Sequence, residues 1–186
     1  MHERASKYLD DLVKARPEDH NAMIRLGHSL ANLGRRDDEI KCYDHILQRR
    51  HDDVVALANM CITLADLGRT TEAVSYIERI DAIKLEDPMD FFYKGMALGM
   101  LERHKEALEC FEWALDARPG DPTILFSRGI SLANINRYEE ALDCFNIVLE
   151  TWHGNKRALS VKTSILENLG RYKESKECRQ QAESLD

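Results

Sequence analysis

Residues 88–121 read PMDFFYKGMALGMLERHKEALECFEWALDARPGD, and residues 122–155 read PTILFSRGISLANINRYEEALDCFNIVLETWHGN. Aligned without a gap, the two stretches place Pro88 over Pro122 and Gly95 over Gly129. The same shift of 34 residues brings similar residues together along the rest of the chain. The chain is therefore built from an internal repeat, and this period decides the fold.

Equivalent positions of the repeat form columns along the chain. No insertion or deletion is needed from Ala5 to Ser175, so the register is unambiguous. An apolar column is unbroken, a second column holds small residues, a third is rich in alanine and a fourth is mostly bulky. The unbroken apolar column is Leu30, Leu64, Leu98, Leu132, Leu166, and the small-residue column is Gly27, Cys61, Gly95, Gly129, Thr163. The alanine-rich column is Ala5, Glu39, Ala73, Ala107, Ala141, Ser175, and the bulky column is Leu9, Tyr43, Ile77, Phe111, Phe145, Arg179.

Each period is predicted to form two amphipathic helices. Phe91, Gly95 and Leu98 follow the i, i+4, i+7 spacing of one helix face, and the same spacing recurs from Ala107 after a polar break. Pro88 and Pro122 stand where a first helix would begin, a position at which the missing N–H of proline has no cost.

Glycines indicate two further features of the repeat. One column falls between the two helices and is expected to adopt the left-handed conformation that closes a helix. A second set lies inside the first helix, where glycine costs about 1 kcal/mol relative to alanine. We expect a close approach of two helix backbones to require this second set. The interhelical column is Gly34, Gly68, Glu102, Asn136 and Gly170, and the set inside the first helix is Gly27, Gly95 and Gly129.

This pattern resembles the tetratricopeptide repeat, in which an apolar residue, leucine-glycine, a further apolar residue, alanine, an aromatic residue and proline recur over 34 residues. The resemblance implies an all-α, right-handed superhelical solenoid of antiparallel helix hairpins. Lys94, Arg128 and Lys162 depart from the usual leucine before the small residue. The motif residues are Met23, Leu26, Gly27 and Leu30 in one copy, and Phe91, Gly95, Leu98, Ala107, Phe111, Ala114 and Pro119 in another.

The resemblance covers essentially the whole chain, which we expect to be a single domain. The last helix is polar, as a solvating cap of a repeat array should be. The predicted divisions are a half repeat at 1–19, full repeats at 20–53, 54–87, 88–121 and 122–155, and a shortened capping repeat at 156–186. The polar residues of the cap are Lys173, Lys176, Arg179, Gln180, Gln181 and Glu183.

Composition excludes several classes of function. The chain has 44% hydrophobic and 32% charged residues, and no apolar run approaches the roughly 18 residues of a membrane span. Met1 is followed at once by polar residues, so a signal peptide is not expected and the cytoplasm is the predicted location. A net charge of -7 disfavours nucleic acid, which requires a basic surface.

The first residues of the chain contain a second helix without its first helix. Leu9, Leu12 and Val13 would leave apolar surface there. We therefore expect either a continuation of the protein before Met1 or a homodimer through the amino-terminal end.

The five cysteines are expected to be buried thiols. Cys42, Cys110, Cys144 and Cys178 share one column. Neighbouring repeats would hold them about 8 to 10 Å apart, beyond the roughly 7 Å between Cα atoms that a disulfide allows. No CxxC occurs and no histidine has ligand spacing, so neither a metal nor another cofactor is expected.

The sequence contains no catalytic signature. No GxSxG, GxxxxGK[ST] or GxGxxG motif occurs, and a repeat array offers a surface rather than a pocket. A column of glutamates beside the alanines is interpreted as a solvated helix face, so we expect a binding protein and not an enzyme. That column is Glu72, Glu106, Glu140 and Glu174.

The first helices carry the candidate binding site. Their second face is apolar in the three central units, whereas it is mostly polar in the end units, where Asn21, Asn32, Ser160 and Ser164 occur. In the family that this pattern resembles, the second face lines the concave groove in which peptides bind. The predicted peptide-binding residues are Ile24, His28, Val55, Ala58, Ile62, Met89, Phe92, Met96, Met100, Phe126 and Ile130.

The predicted ligand is an apolar or amphipathic peptide or helix. Some members of the family clamp a peptide carboxylate with lysine, asparagine and arginine, but two columns of this face contain none of these, which disfavours such a clamp. Two alternatives stay open, namely that the apolar groove residues pack on each other, or that the surface serves self-association. The two columns are Ile24, Ala58, Phe92, Phe126, Ser160 and His28, Ile62, Met96, Ile130, Ser164.

Overall fold

A computed structural model describes Asp11 and residues 19 to 185. Within residues 19 to 185 the chain forms ten α-helices, arranged as consecutive helical hairpins. The predicted all-α solenoid of helical hairpins is confirmed, with two helices in each period. The helices are α1 (His20–Asn32), α2 (Arg36–Leu47), α3 (Val54–Asp66), α4 (Thr70–Asp81), α5 (Pro88–Met100), α6 (His104–Ala117), α7 (Pro122–Asn134), α8 (Tyr138–Thr151), α9 (Lys156–Asn168) and α10 (Tyr172–Glu183).

The first helix of every hairpin starts at a side-chain cap. An Asp or Asn precedes α1, α3, α5, α7 and α9, and its side chain accepts a hydrogen bond from a backbone N–H of the first turn at 2.8–2.9 Å. Such a cap satisfies an N–H group that has no partner within the helix. The caps are Asp19, Asp53, Asp87, Asp121 and Asn155, one period apart.

The second helix of every hairpin starts at an arginine instead. Each arginine pairs with a carboxylate three residues later, and Arg69, for example, donates from Nε and Nη2 to the two oxygens of Glu72, both at 2.7 Å. The carboxylate thereby sits in the first helical turn, where the helix dipole favours negative charge. The pairs are Arg35–Asp38, Arg69–Glu72, Arg103–Glu106, Arg137–Glu140 and Arg171–Glu174.

The turn between the two helices has the predicted left-handed conformation. Gly34, Gly68 and Gly170 have φ of 69°, 74° and 71°, while Glu102 and Asn136, in the same column, have φ of 60° and 61°. Glycine adopts this conformation without a steric penalty, whereas a glutamate does not. Glu102 is therefore the member of the column least suited to its backbone.

Glu102→Gly is expected to raise the free energy of unfolding by about 1 kcal/mol, because glycine adopts the left-handed conformation without the steric cost that glutamate has there. Denaturation in urea measures this change. The matched control is Glu109→Gly, which removes an exposed glutamate from the interior of α6 and is expected to lower the free energy of unfolding by about 1 kcal/mol. Equal effects of the two substitutions would contradict the role assigned to the turn.

The helices group into two compact units, and each has its own buried core. Unit 1 comprises residues up to Lys84 and contains α1 to α4, whereas unit 2 begins at Leu85 and contains α5 to α10. The single-domain organisation stays a prediction. The homodimer also stays a prediction, since Leu9, Leu12 and Val13 lie outside the described residues. Large core side chains are Met23, Leu30, Tyr43, Leu57, Ile77 and Ile80 in unit 1, and Leu98, Phe111, Ile124, Leu132, Phe145 and Leu159 in unit 2.

The glycines inside the first helices face aromatic rings on the second helix of the same hairpin. The expected close approach of the two helices is also present, since an added Cβ atom would lie 3.1 Å from Cys110 Cβ at Gly95 and 3.2 Å from Cys144 Cβ at Gly129. A Cβ atom at Gly95 would lie 2.7 Å from the ring of Phe111 on the second helix of the same hairpin. The same relation joins Gly27 to Tyr43 at 2.7 Å and Gly129 to Phe145 at 3.0 Å. Each glycine therefore makes room for a buried ring, and the packing of that ring offsets the helix propensity that glycine loses.

Candidate peptide-binding surface

The structure divides the eleven predicted site residues by exposure. Ile24, Ala58 and Phe92 are buried, and His28 and Met100 are exposed. The remaining six side chains are half-buried, so they combine packing with accessible apolar surface. These six are Val55, Ile62, Met89, Met96, Phe126 and Ile130.

Phe92 belongs to the core of unit 2. Its side chain is 4% exposed, and its ring centroid lies 5.4 Å from that of Tyr93 and 6.2 Å from that of Phe111. Ala58 has no exposed surface at all. Phe92 and Ala58 therefore pack in the interior behind the apolar face of the first helices, and they offer little surface to a ligand.

The accessible apolar part of the face lies on α5 and α7 of unit 2. These two helices are in contact, and a Cβ atom at Gly99 on α5 would lie 3.6 Å from Ser131 Oγ on α7. Met100 is 43% exposed. We refer to Met89, Met96, Met100, Phe126 and Ile130 as the α5/α7 face.

Phe126 marks one border of the α5/α7 face. Its ring meets the ring of Phe145 edge-on, with 5.6 Å between centroids, and the guanidinium carbon of Arg157 lies 5.2 Å from its centroid. The sequence shows that Arg157 is polar, but it does not predict that the guanidinium group lies over the Phe126 ring. A cation above an aromatic ring is an attractive arrangement, so Arg157 limits the apolar surface on the α9 side.

The first-helix face of unit 1 is more polar. His28 Nε2 lies 3.1 Å from Asn59 Oδ1, so the ring donates from Nε2, and the Asn59 amide donates to the backbone oxygen of Val55 at 2.8 Å. Ile62 adds half-buried apolar surface. Unit 1 therefore presents a smaller apolar area, interrupted by hydrogen-bonding groups.

A buried carboxylate joins α2 to α3 in unit 1. Glu39 is 4% exposed and stands in the alanine-rich column. Its Oε1 accepts from the Thr63 hydroxyl at 2.7 Å, and its Oε2 accepts from Arg36 Nη1 at 2.8 Å. Arg36 also pairs with Asp66 on α3. Because the carboxylate is hydrogen-bonded at both oxygens, the arrangement fits a structural link between two repeats.

The glutamate column is exposed, as expected, and it is not poised for proton transfer. The Arg69 guanidinium holds the pKa of the Glu72 carboxyl below its usual range, and arginine has the same effect on the other members of the column. These carboxylates are therefore ionised near neutral pH and paired. Glu106, Glu140 and Glu174 are the other members. An unbroken arginine column, which sequence reasoning overlooked, is the signal for these pairs.

All five cysteines are buried and unbridged, which confirms their prediction as buried thiols. Burial raises the pKa of the Cys42 thiol to about 12. Burial also raises the pKa of Cys144, although Arg128 Nη1, 3.2 Å from its sulfur, acts in the opposite direction. The thiols of Cys42 and Cys144 are consequently protonated, and a protonated thiol is a poor nucleophile.

Between residues 19 and 185, no group of three or more histidine, cysteine or acidic side chains is placed to hold a metal ion. In the same part of the chain, no helix combines the length and the apolar character that crossing a bilayer requires. Of the predicted site residues in unit 2, those of the α5/α7 face keep accessible apolar surface, whereas Phe92 is buried.

Comparison with known proteins bears on the fold. Solved structures similar to this chain include MamA AMB-1, with a TM-score of 0.66, 21% identity, and coverage of 88% of this chain and 97% of that one. MamA from Desulfovibrio magneticus RS-1 has a TM-score of 0.65, 16% identity, and coverage of 90% and 95%. YrrB, described as a TPR protein with an unusual peptide-binding site, has a TM-score of 0.61, 21% identity, and coverage of 95% and 91%. At these identities the likeness concerns the fold.

Sequence models of the repeat match most of the chain. One tetratricopeptide repeat model matches residues 7–88, and another matches residues 94–156. No curated protein matches the chain in sequence. The period, the helical hairpins and the two model matches agree, and the chain belongs to the tetratricopeptide repeat family.

Proposed function

We propose that the protein is a cytoplasmic interaction scaffold that binds an apolar or amphipathic peptide or helix on the α5/α7 face. The observation that carries the proposal is the accessible apolar surface of Met96, Met100, Phe126 and Ile130 on two helices that contact each other. Unbranched methionine side chains adapt to different partners, which suits a scaffold with several ligands. Buried, unbridged thiols fit a reducing compartment.

The repeat itself does not require apolar residues at these positions. In the last repeat the residues equivalent to Phe126 and Ile130 are Ser160 and Ser164, and both serines are exposed on a helix of normal length. The apolar residues of α5 and α7 are therefore an addition to the fold. Accessible apolar residues that the fold does not require favour ligand binding over packing of the groove residues on each other.

The expected affinity is moderate. A ligand that covers about 400 Å² of apolar surface gains roughly 10 kcal/mol. Association costs about 4 to 15 kcal/mol in lost freedom of motion and in ordering of side chains. We therefore expect a dissociation constant in the micromolar range. YrrB, which has a similar fold, is described as having a peptide-binding site, and this description supports peptide binding as the proposed function of this chain.

A neutral amphipathic peptide tests the proposal. The probe is a synthetic helix of about 18 residues composed of leucine, alanine and glutamine, with leucine at i, i+3, i+4 and i+7. Met96 and Ile130 are equivalent to Ser164 of the last repeat. The double variant Met96→Ser, Ile130→Ser therefore places on α5 and α7 the residue that the last repeat has there. Isothermal titration calorimetry is expected to show a dissociation constant at least about tenfold higher for this double variant, a loss of about 1.4 kcal/mol.

Ser164→Glu is the matched control, since it changes an exposed residue of the same column outside the α5/α7 face. Its affinity for the neutral peptide is expected to equal that of the wild type. Circular dichroism verifies that both variants keep their helix content. Wild-type affinity in the double variant, or an equal loss in the control, would remove the α5/α7 face from the proposed function.

A further inference from the structure

A second apolar feature of unit 2 lies on the second helices of its hairpins. Trp113 on α6 is 63% exposed, and its ring stacks on that of Phe91 with 5.8 Å between centroids and 22° between planes. Ile147, one period later on α8, is 41% exposed. The other members of this column are polar, so the repeat does not require an apolar residue there. They are Asp11, His45, Arg79 and Gln181.

Acidic residues surround these two side chains. Helix α6 contains four acidic residues and one lysine, a net charge of -3, and α8 contains four acidic residues and neither lysine nor arginine, a net charge of -4. Arg103, Arg137 and Arg171, which lie outside these helices, pair with Glu106, Glu140 and Glu139 and offset three of these charges. All eight carboxylates are exposed: Glu106, Glu109, Glu112, Asp116, Glu139, Glu140, Asp143 and Glu150.

The acidic surface is concentrated around Trp113. Glu109, Glu112 and Asp116 stand four residues before, one before and three after the tryptophan on α6. Helices α6 and α8 both pack against α7. Glu140, and more weakly Glu112, raises the pKa of Arg137, which precedes α8. We call Phe91, Trp113 and Ile147, together with these eight carboxylates, the acidic aromatic surface.

We propose that the acidic aromatic surface binds a basic amphipathic segment of a partner protein. An exposed indole ring is the best aromatic partner for an ammonium or guanidinium group, and carboxylates on both sides of Trp113 complement a positive charge placed above the ring. The apolar residues of the segment would pack on Trp113 and Ile147. A lysine or arginine of the segment therefore lies over Trp113, with further basic residues near Glu109 and Asp116.

Charge excludes the other occupants of this surface. A second copy of the chain would bring two acidic surfaces together, and like charges at an interface oppose binding. Nucleic acids and anionic lipid surfaces carry the same sign of charge as the eight carboxylates. Apart from Phe91 on α5, the surface belongs to second helices and shares no residue with the α5/α7 face, so this inference does not depend on the proposed function.

The test uses a basic probe and two comparison peptides. The basic probe is a synthetic amphipathic helix of about 18 residues composed of lysine and leucine. In the two comparison peptides, glutamine or glutamate replaces every lysine. Trp152→Phe leaves Trp113 as the single tryptophan, so its fluorescence reports binding at this surface. We expect the basic probe to bind at least about tenfold more tightly than either comparison peptide, and to lose affinity as salt is added.

Three variants locate the binding site. Trp113→Ala is expected to raise the dissociation constant of the basic probe at least about tenfold by calorimetry, and Trp113→Phe is expected to restore most of the affinity because it keeps an aromatic ring. Tyr172→Ala is the matched control. Tyr172 is 71% exposed on unit 2, but it lies between Arg171 and Lys173, and its loss is expected to leave the affinity unchanged.

The same variants are expected to distinguish the two surfaces, because each variant should lose affinity for one probe and keep it for the other. Met96→Ser combined with Ile130→Ser is expected to bind the basic probe normally, and Trp113→Ala is expected to bind the neutral peptide normally. The inference is overturned if the basic probe binds no more tightly than the glutamine peptide. It is also overturned if Trp113→Ala binds the basic probe like the wild type, or if Tyr172→Ala loses as much affinity.

Discussion

Gly95→Ala is expected to lower the free energy of unfolding by about 2 kcal/mol, although alanine is the better helix former. The new Cβ atom would lie 2.7 Å from the ring of Phe111, which is 1% exposed, and 3.1 Å from Cys110 Cβ. Denaturation in urea measures the change. The reason is steric, because a buried ring fills the space that the missing side chain leaves.

Gly99→Ala is the matched control on the same helix. Its Cβ atom would meet Ser131 Oγ at 3.6 Å, an ordinary contact, so the substitution is expected to stabilise the protein by up to about 1 kcal/mol. The two alanine substitutions on α5 should therefore have opposite signs. If Gly95→Ala stabilised the protein as much as Gly99→Ala, the ring would not be the constraint.

A double substitution tests the pairing of glycine and ring directly. The repeat at 54–87 has Cys61 and Ile77 at the two positions, so a side chain fits there when the ring is absent. Phe111→Ile is expected to remove most of the penalty of Gly95→Ala, which gives a coupling energy of about 2 kcal/mol between the two sites. Additive effects would contradict the contact.

Thr63→Val is expected to lower the free energy of unfolding by about 2 kcal/mol. The hydroxyl of Thr63 donates to the buried carboxylate of Glu39 at 2.7 Å, and valine has the same shape without the donor. A buried carboxylate oxygen that loses its hydrogen bond costs about 1 to 3 kcal/mol. The free energy of unfolding in urea at neutral pH measures the effect.

The Glu39→Ala background is the matched control for Thr63→Val. Alanine is the residue of Ala73, Ala107 and Ala141 in the same column, so the repeat accepts it. Arg36 also pairs with Asp66, so it is expected to retain an acidic partner when the glutamate is replaced. In this background Thr63→Val is expected to change the free energy of unfolding by less than about 0.5 kcal/mol. An unchanged penalty of about 2 kcal/mol would show that the carboxylate is not its cause.

Much of the fold was predictable from the columns of the repeat. The pairing of glycine with a ring was also present in the sequence, because the small-residue column departs from glycine where the bulky column departs from an aromatic residue. Cys61 accompanies Ile77, and Thr163 accompanies Arg179. Sequence reasoning found the glycines and expected a close helix contact there but not the rings, since a column shows which residues recur and not what they touch.

The candidate site was predictable in part. Phe92 and Phe126 occupy the same column, yet Phe92 is buried against Tyr93 and Phe111, whereas Phe126 is half-buried beside Arg157. Equivalent positions in a repeat therefore differ in what they offer to a ligand. The exposure of a side chain depends on its neighbours from other helices, and the period does not specify these.

The sequence by itself determined the period, the helices and their ends. Helix caps and left-handed turns involve residues within about five positions of one another, and those interactions can be read directly from the order of the residues. The tertiary structure decided which apolar side chains stay accessible, where Arg157 covers Phe126 and how Trp113 stacks on Phe91. These contacts join residues 22 to 31 positions apart, and only the packing of one helix on another brings them together.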